Sequence, residues 1–203
     1  MKKLMVLLFC LVLPSVWAEG NSSALANEVN ASRDWAADLA KCPADLMPAT
    51  SHPDYDRRVK AQCEAESSQA ACLAACKAGK GEHCYWLGNA LQASEHDDRA
   101  SEILFQRSCK LGVPSGCTNR AAILLPPAKT TVDAQSCPAR TFARTCAAND
   151  PWGCTMYGFI LGGDKGNASS KQKALEVLRK SCQFGEKDPA CRAANAMRKD
   201  LER

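Results

Sequence analysis

The sequence predicts an all-α fold, a disulfide-stapled α/α solenoid of helix pairs. Three observations predict it. Residues 104–112 read LFQRSCKLG and residues 177–185 read VLRKSCQFG, so one helix-ending string is written twice. A second cysteine follows the first at a nearly fixed distance in four places. No segment alternates apolar and polar residues in the way a half-buried strand requires.

The chain has 203 residues, enough for one domain with its own core. Its first eighteen residues are set apart as an expected signal peptide over 1–18. Lys2 and Lys3 form a charged start, and Leu4 to Leu13 form a short apolar run. Val16 and Ala18 place small residues for cleavage after Ala18. The apolar run is too short to span a membrane, so no membrane insertion is expected after cleavage. Cys10 lies inside the run, but bulky Phe9 before it does not suit a lipoprotein. Loss of Lys2 and Lys3 lowers the formal charge from +4 to +2, which is no footprint for nucleic acid.

Twelve of the 13 cysteines remain after cleavage. An even, dense set in an exported chain reads as a disulfide framework. Metal binding fits less well. The chain has no C-x-x-C, and His52, His83 and His96 show no ligand spacing. No metal and no cofactor is expected.

Residues 19–66 form an N-terminal helical segment or cap. Its first helix is expected over ALANEVNASRDWAADLAKC, residues 24–42, with Ala24, Val29, Trp35 and Leu39 as the apolar contributors. A Pro-rich loop follows over 43–53. A helix over 54–66 opens at Asp54, a capping residue type.

Residues 67–203 hold four stapled pairs. Aligned on Cys76, Cys109, Cys146 and Cys182, the copies recur after 33, 37 and 36 residues. Self-similarity at that period signals stacked helix pairs. Three places after each cysteine stand Gly79, Gly112, Asn149 and Gly185, residues that accept the left-handed conformation ending a helix. Four places before stand Cys72, Phe105, Phe142 and Leu178, one turn back on the same face.

Cys84, Cys117 and Cys154 come eight residues after their partners, and Cys191 comes nine after. VPSGC, DPWGC and DPAC precede the later three, and proline in the first turn marks a helix start. The two cysteines of each copy therefore flank a tight interhelical turn. Helices this short are marginal alone, and a disulfide closing about nine residues contributes about 2–3 kcal/mol in the chain-entropy model. The expected staples are Cys76–Cys84, Cys109–Cys117, Cys146–Cys154 and Cys182–Cys191.

Cys63 and Cys72 are nine apart, with AESS between them as a helix–helix turn, and are expected to pair. Parity leaves Cys42 and Cys137 with three fates: pairing across the fold, pairing with another chain, or remaining free. Cys42–Cys63 with Cys72–Cys137 stays open as the alternative set. Farther on, Pro126 and Pro127 stop a helix. GGDKGNASS is a turn ended by a serine cap, and MRKDLER supplies a charged end.

The segments CKAGKGEHCYWLG, CKLGVPSGCTNRA, CAANDPWGCTMYG and CQFGEKDPACRAA carry a resemblance over about residues 67–199. Their pattern is similar to the disulfide-rich Sel1-like (TPR-like) repeats, nearest to the secreted Helicobacter cysteine-rich proteins. Asn149 departs from it by replacing a glycine, as do Ala121 and Asn195 at a later glycine place. The resemblance implies a periplasmic or secreted protein of a Gram-negative bacterium. Asn21, Asn30 and Asn167 head N-x-S sequons, which are taken as chance in that setting.

Two function classes compete. The first is an exported protein-binding solenoid whose partner is another protein. It could serve as an immunity or inhibitor protein against an envelope-acting enzyme, or as an envelope scaffold. The second, implied by the resemblance, is a penicillin-binding protein or weak β-lactam hydrolase. A purely structural cell-surface protein stands behind both. One S-x-x-K, Ser170 to Lys173, matches the nucleophile and activating lysine of penicillin-recognising enzymes. It sits at a polar helix start without S-D-N or K-T-G, so it reads as a cap with solvent-facing lysines. No catalytic set is assigned.

The candidate partner-binding residues are Trp86, Tyr85 and Trp152. With Cys84 at zero on a helical wheel, Leu87, Gly88 and Leu91 fall within about 60° and form the buried stripe, while Trp86 falls at about 200°. Trp86 then either packs against a neighbouring helix or stands exposed as an aromatic anchor, the residue type enriched in binding hot spots.

Overall fold

The computed structural model describes residues 19–51, 56–94, 98–127, 132–163 and 167–203. The signal-peptide reading over 1–18 lies outside them, as do His52, Pro53, Asp54 and His96. Among the described residues the chain is all-helical. Its helices are α1 (Glu19–Asn30), α2 (Arg33–Asp38), α3 (Pro43–Leu46), α4 (Arg57–Glu64), α5 (Gln69–Lys77) and α6 (Gly81–Ala93). Then follow α7 (Asp98–Lys110), α8 (Pro114–Ile123), α9 (Cys137–Ala147), α10 (Pro151–Gly162), α11 (Ala168–Lys180) and α12 (Pro189–Glu202). Helices α5 to α12 form four consecutive pairs stacked as a solenoid.

The turn inside each pair follows from one residue. Gly79, Gly112 and Gly185 have φ of 88°, 88° and 91°, and Asn149, the departure from glycine, has φ 62°. Asparagine tolerates that region, so the third turn keeps its shape. The backbone closes in the same way in the first three copies. Lys80, Val113 and Asp150 N–H donate back to the carbonyls of Ala75, Ser108 and Thr145 at 3.0–3.1 Å. The second helix then starts two residues after the left-handed one in these copies and four after it in the fourth, capped by Asp150 on Gly153 N–H in the third and by Asp188 on Ala190 N–H in the fourth.

All four expected in-pair disulfides are formed, and so is Cys63–Cys72. The sixth joins Cys42 to Cys137 across the fold. Six disulfides fit a chain that matures in an oxidising compartment. Among the described residues no helix is long and apolar enough to cross a membrane.

Successive pairs meet through a repeated contact. Phe105, Phe142 and Leu178, each four residues before a first cysteine, are fully buried. Phe105 lies on Gly88 and Leu178 on Gly158 of the preceding pair, while Phe142 shares a core cluster with Ala121. Polar side chains also link the copies. Asp150, 1% exposed, accepts from the hydroxyls of Ser115 (2.9 Å) and Thr118 (2.5 Å) and from Gly153 N–H (2.8 Å). Thr155 and Ser181 hydroxyls meet at 2.9 Å between the third and fourth copies. Asp150, Thr155 and Ser181 thus have the partners that burial demands.

Residues 19–66 divide into two parts rather than one cap. Helix α4 joins the array, packing on α5 and α6. Its cap is Asp56, whose carboxylate accepts from Arg58 N–H. Residues 19–51 instead run along the array as a strap. Helix α1 packs on α5 and α7, α2 on α7, and α3 on α7, α8 and α9. The single helix expected over 24–42 is broken at Ala31–Ser32, and the expected loop over 43–53 contains α3, begun by Pro43. Ala24 is exposed, and Leu25, Ala26 and Val29 are the buried residues of α1. The cap of α11 is Asn167, which accepts from Ser169 and Ser170 N–H, so the expected serine cap lies two to three residues too late.

The strap is held by side chains of the array that reach its backbone. Gln106 Nε2 donates to the carbonyls of Asp38 (2.9 Å) and Lys41 (3.1 Å). Arg144 donates to those of Ala44 and Met47, the latter at 2.6 Å. Asp38 is buried, and its carboxylate lies 2.7 Å from Lys110 Nζ and 3.0 Å from Lys41 Nζ. Burial raises its pKa, but the hydrogen bonds and charges of Lys110 and Lys41 together hold it below the usual value.

Candidate functional site

Tyr85 and Trp86 sit in the second turn of α6, and the structure draws both into packing. Trp86 is part-buried beside the core shared by α5, α6 and α7. Its Nε1–H donates to Glu82 Oε1 at 3.3 Å, and Lys60 Nζ from α4 lies 5.2 Å from its ring centroid. The same Glu82 oxygen accepts from Asp56 N–H at 2.8 Å, tying the start of α4 to α6. The wheel position near 200° therefore faces a neighbouring helix, the first of its two roles, and Trp86 is not an open anchor.

Tyr85 meets the Trp86 ring edge-on at 4.8 Å and the Phe105 ring at 6.3 Å. Burial and, second, the charge of Asp150 push its hydroxyl up to about 12. A tyrosine in that setting supports the fold.

Trp152 is different. It stands in the first turn of α10 and is 42% exposed. Phe184, in the turn between α11 and α12, is 55% exposed. Both lie at the interhelical turns of the third and fourth copies. Gln183, next to Phe184, donates through Nε2 to the carbonyl of Asn149 and so joins the two turns. The sequence reading missed Phe184, although its signal was present. Phe184 in VLRKSCQFG occupies the place of Leu111 in LFQRSCKLG, and Leu111 packs closely on Gly81 of the preceding pair.

A second apolar surface lies at the other end of α10. Phe159 is 48% exposed and lines an open pocket of about 300 Å³ with Gly162, Met197 and Leu201. This pocket could not be read from the repeats, because it is made by the ends of α10 and α12 coming together.

Ser170 lies in the first turn of α11 and Lys173 in the second. Lys173 is exposed, with its ammonium 5.8 Å from the Tyr157 ring centroid. Ser170 N–H donates to the capping Asn167 at 3.2 Å. Among the described residues, no three His, Cys, Asp or Glu side chains are placed to hold a metal ion. Comparison with family models, curated proteins and solved structures gives no match for this chain.

Proposed function

We propose that the chain is an exported, periplasmic or secreted solenoid of the Sel1-like cysteine-rich kind that binds another protein through the turn edge of its third and fourth copies. The observation that carries this reading is the pair Trp152 and Phe184. These are two large apolar side chains, 42% and 55% exposed, at adjoining turns of a stapled array. Tryptophan is enriched in binding hot spots, and phenylalanine at interface cores. One disulfide across each turn, Cys146–Cys154 and Cys182–Cys191, holds the backbone that presents them. A preorganised surface loses less entropy on binding. Such rigidity suits an immunity or inhibitor protein that covers an envelope enzyme, and it suits a scaffold equally.

The test is capture from a cell-envelope extract by the purified oxidised chain, repeated with Trp152→Ala and Phe184→Ala. The reading expects one captured protein, lost from both variants with a fall of about thirtyfold in affinity, the scale of a hot spot. Capture unchanged in both folded variants would refute it. A nitrocefin assay run beside it addresses the β-lactam reading. Turnover abolished by Ser170→Ala would establish that alternative.

A further inference from the structure

Of the six disulfides, Cys42–Cys137 differs from the rest in three ways. It spans 95 residues, where the others span eight or nine. Both of its cysteines are part-exposed, whereas each of the other five has at least one cysteine no more than 1% exposed. Its Cys137 is the first residue of α9, an 11-residue helix. Partial positive charge at a helix start stabilises a thiolate there, and a stabilised thiolate leaves a disulfide faster. Exposure and leaving-group stability thus coincide in the one bond that ties the strap to the array.

The face beneath the strap carries polar and cationic groups beside the apolar surface that takes Trp35, Leu39 and Met47. Gln106, Arg144 and Arg120 aim donors at strap carbonyls, the last reaching Leu39 at 3.5 Å. Lys110 and Arg140 meet the carboxylates of Asp38 and Asp45 at 2.7 and 2.9 Å. Most of these contacts read backbone and negative charge, which any acidic peptide segment can offer.

We propose that Cys42–Cys137 is a dithiol-reducible latch whose opening releases residues 33–48 from the α7–α9 face while the five local staples hold the helix pairs. The reductant is a dithiol, of the kind carried by thiol–disulfide oxidoreductases. Its thiolate attacks Cys42 Sγ, the Cys42–Cys137 bond breaks, and the electron pair leaves on Cys137 Sγ, which takes a proton. The second thiol of the reductant then displaces Cys42 from the mixed disulfide. Two electrons and two protons pass to the protein, leaving two thiols, and the reductant ends as its own disulfide. The uncovered face then accepts an acidic peptide segment of a partner in place of the strap.

The oxidised full-length chain is treated with graded dithiothreitol, alkylated and digested, with helix content followed by circular dichroism. The latch predicts that Cys42 and Cys137 are alkylated first, at a dithiothreitol level about tenfold below that needed for any local staple. Helix content is retained at that level, and amide exchange over residues 33–48 rises about tenfold or more. A local staple opening first, or residues 33–48 staying protected after Cys42 and Cys137 are alkylated, overturns it. The variant Cys42→Ser with Cys137→Ser gives a second reading, and loss of the array's helix in that protein also overturns it. For the face itself, Asp38→Asn is added to that variant to weaken the tethered strap. A labelled peptide of residues 33–48 carrying Cys42→Ser is then titrated in. It should bind this protein and not the oxidised wild type, and further Gln106→Ala and Arg144→Ala changes should weaken binding about tenfold. No binding to the opened protein overturns the peptide-accepting role.

Discussion

Phe105 of α7 lies on Gly88 of α6 so closely that a carbon added to the glycine would stand 2.8 Å from Cε1 of the ring. The same relation recurs at Gly158, where Leu178 would be met at 2.5 Å. The place four residues after each second cysteine is where the next copy lands. Ala121 keeps that place small under its own neighbour, fully buried in the cluster that holds Phe142. Asn195, at the same place in the last copy, bonds Cys191 and Arg198 on its own helix instead.

Gly88→Ala and Gly158→Ala should therefore each destabilise the chain by about 1–3 kcal/mol through overpacking. Thermal unfolding reads this at roughly 2–4 °C per kcal/mol for a chain of this size. Asn195→Ala serves as the control and should stay within about 0.5 kcal/mol of the parent. Equal effects at all three positions would mean that stacking does not depend on this contact.

The left-handed turns separate backbone strain from crowding. A side chain at Gly79 meets nothing within 4 Å, so Gly79→Ala should cost only the conformational strain of about 1–2 kcal/mol. At Gly112 the added carbon also comes within 3.2 Å of Pro48 in the strap, so Gly112→Ala should cost more. Asn149→Gly should be neutral or slightly stabilising, and Asn149→Val strongly destabilising. Denaturant midpoints of the four variants check that order.

Tyr85 makes stability depend on pH at the alkaline end. Its hydroxyl is raised from 10.0 to about 12, first by burial and then by Asp150, so the folded state favours the neutral phenol. That contribution is complete below the unfolded value and is lost as pH rises from about 10 to about 12. Tyr85→Phe should flatten the fall in stability across that window and remove the latest tyrosinate absorbance step. A parent chain whose tyrosines all titrate near 10 while folded would contradict the burial of this ring.

The repeat was legible because its determinants are local. A left-handed glycine, a proline start and a cysteine offset of eight or nine each act within one turn, so Asn149 could be recognised as a glycine substitute. Cys63–Cys72 was readable for the same reason. The strap was not. Its partners Gln106 and Arg144 lie 65–68 and 97–100 residues away from the carbonyls they hold. A side chain donating to backbone leaves no complementary residue type to read. Cys42–Cys137 was similarly open, since nothing local brings those two together. The break at Ala31–Ser32 came from the strap following the array, a tertiary demand that overrode the continuous helix of the pattern. Trp86 and Trp152 looked alike as unplaced tryptophans. What separates them is α4, which covers the first and leaves the second in water.

The central claim is a solenoid whose helix pairs are stapled in register and whose strap is tied across them. Peptide mapping of the unreduced protein tests it most directly. The account predicts six linked peptide pairs: Cys76–Cys84, Cys109–Cys117, Cys146–Cys154, Cys182–Cys191, Cys63–Cys72 and Cys42–Cys137. A link between different copies, such as Cys84 to Cys109, would contradict the repeat register. Cys42–Cys63 together with Cys72–Cys137 would leave the pairs intact but contradict the path of the strap.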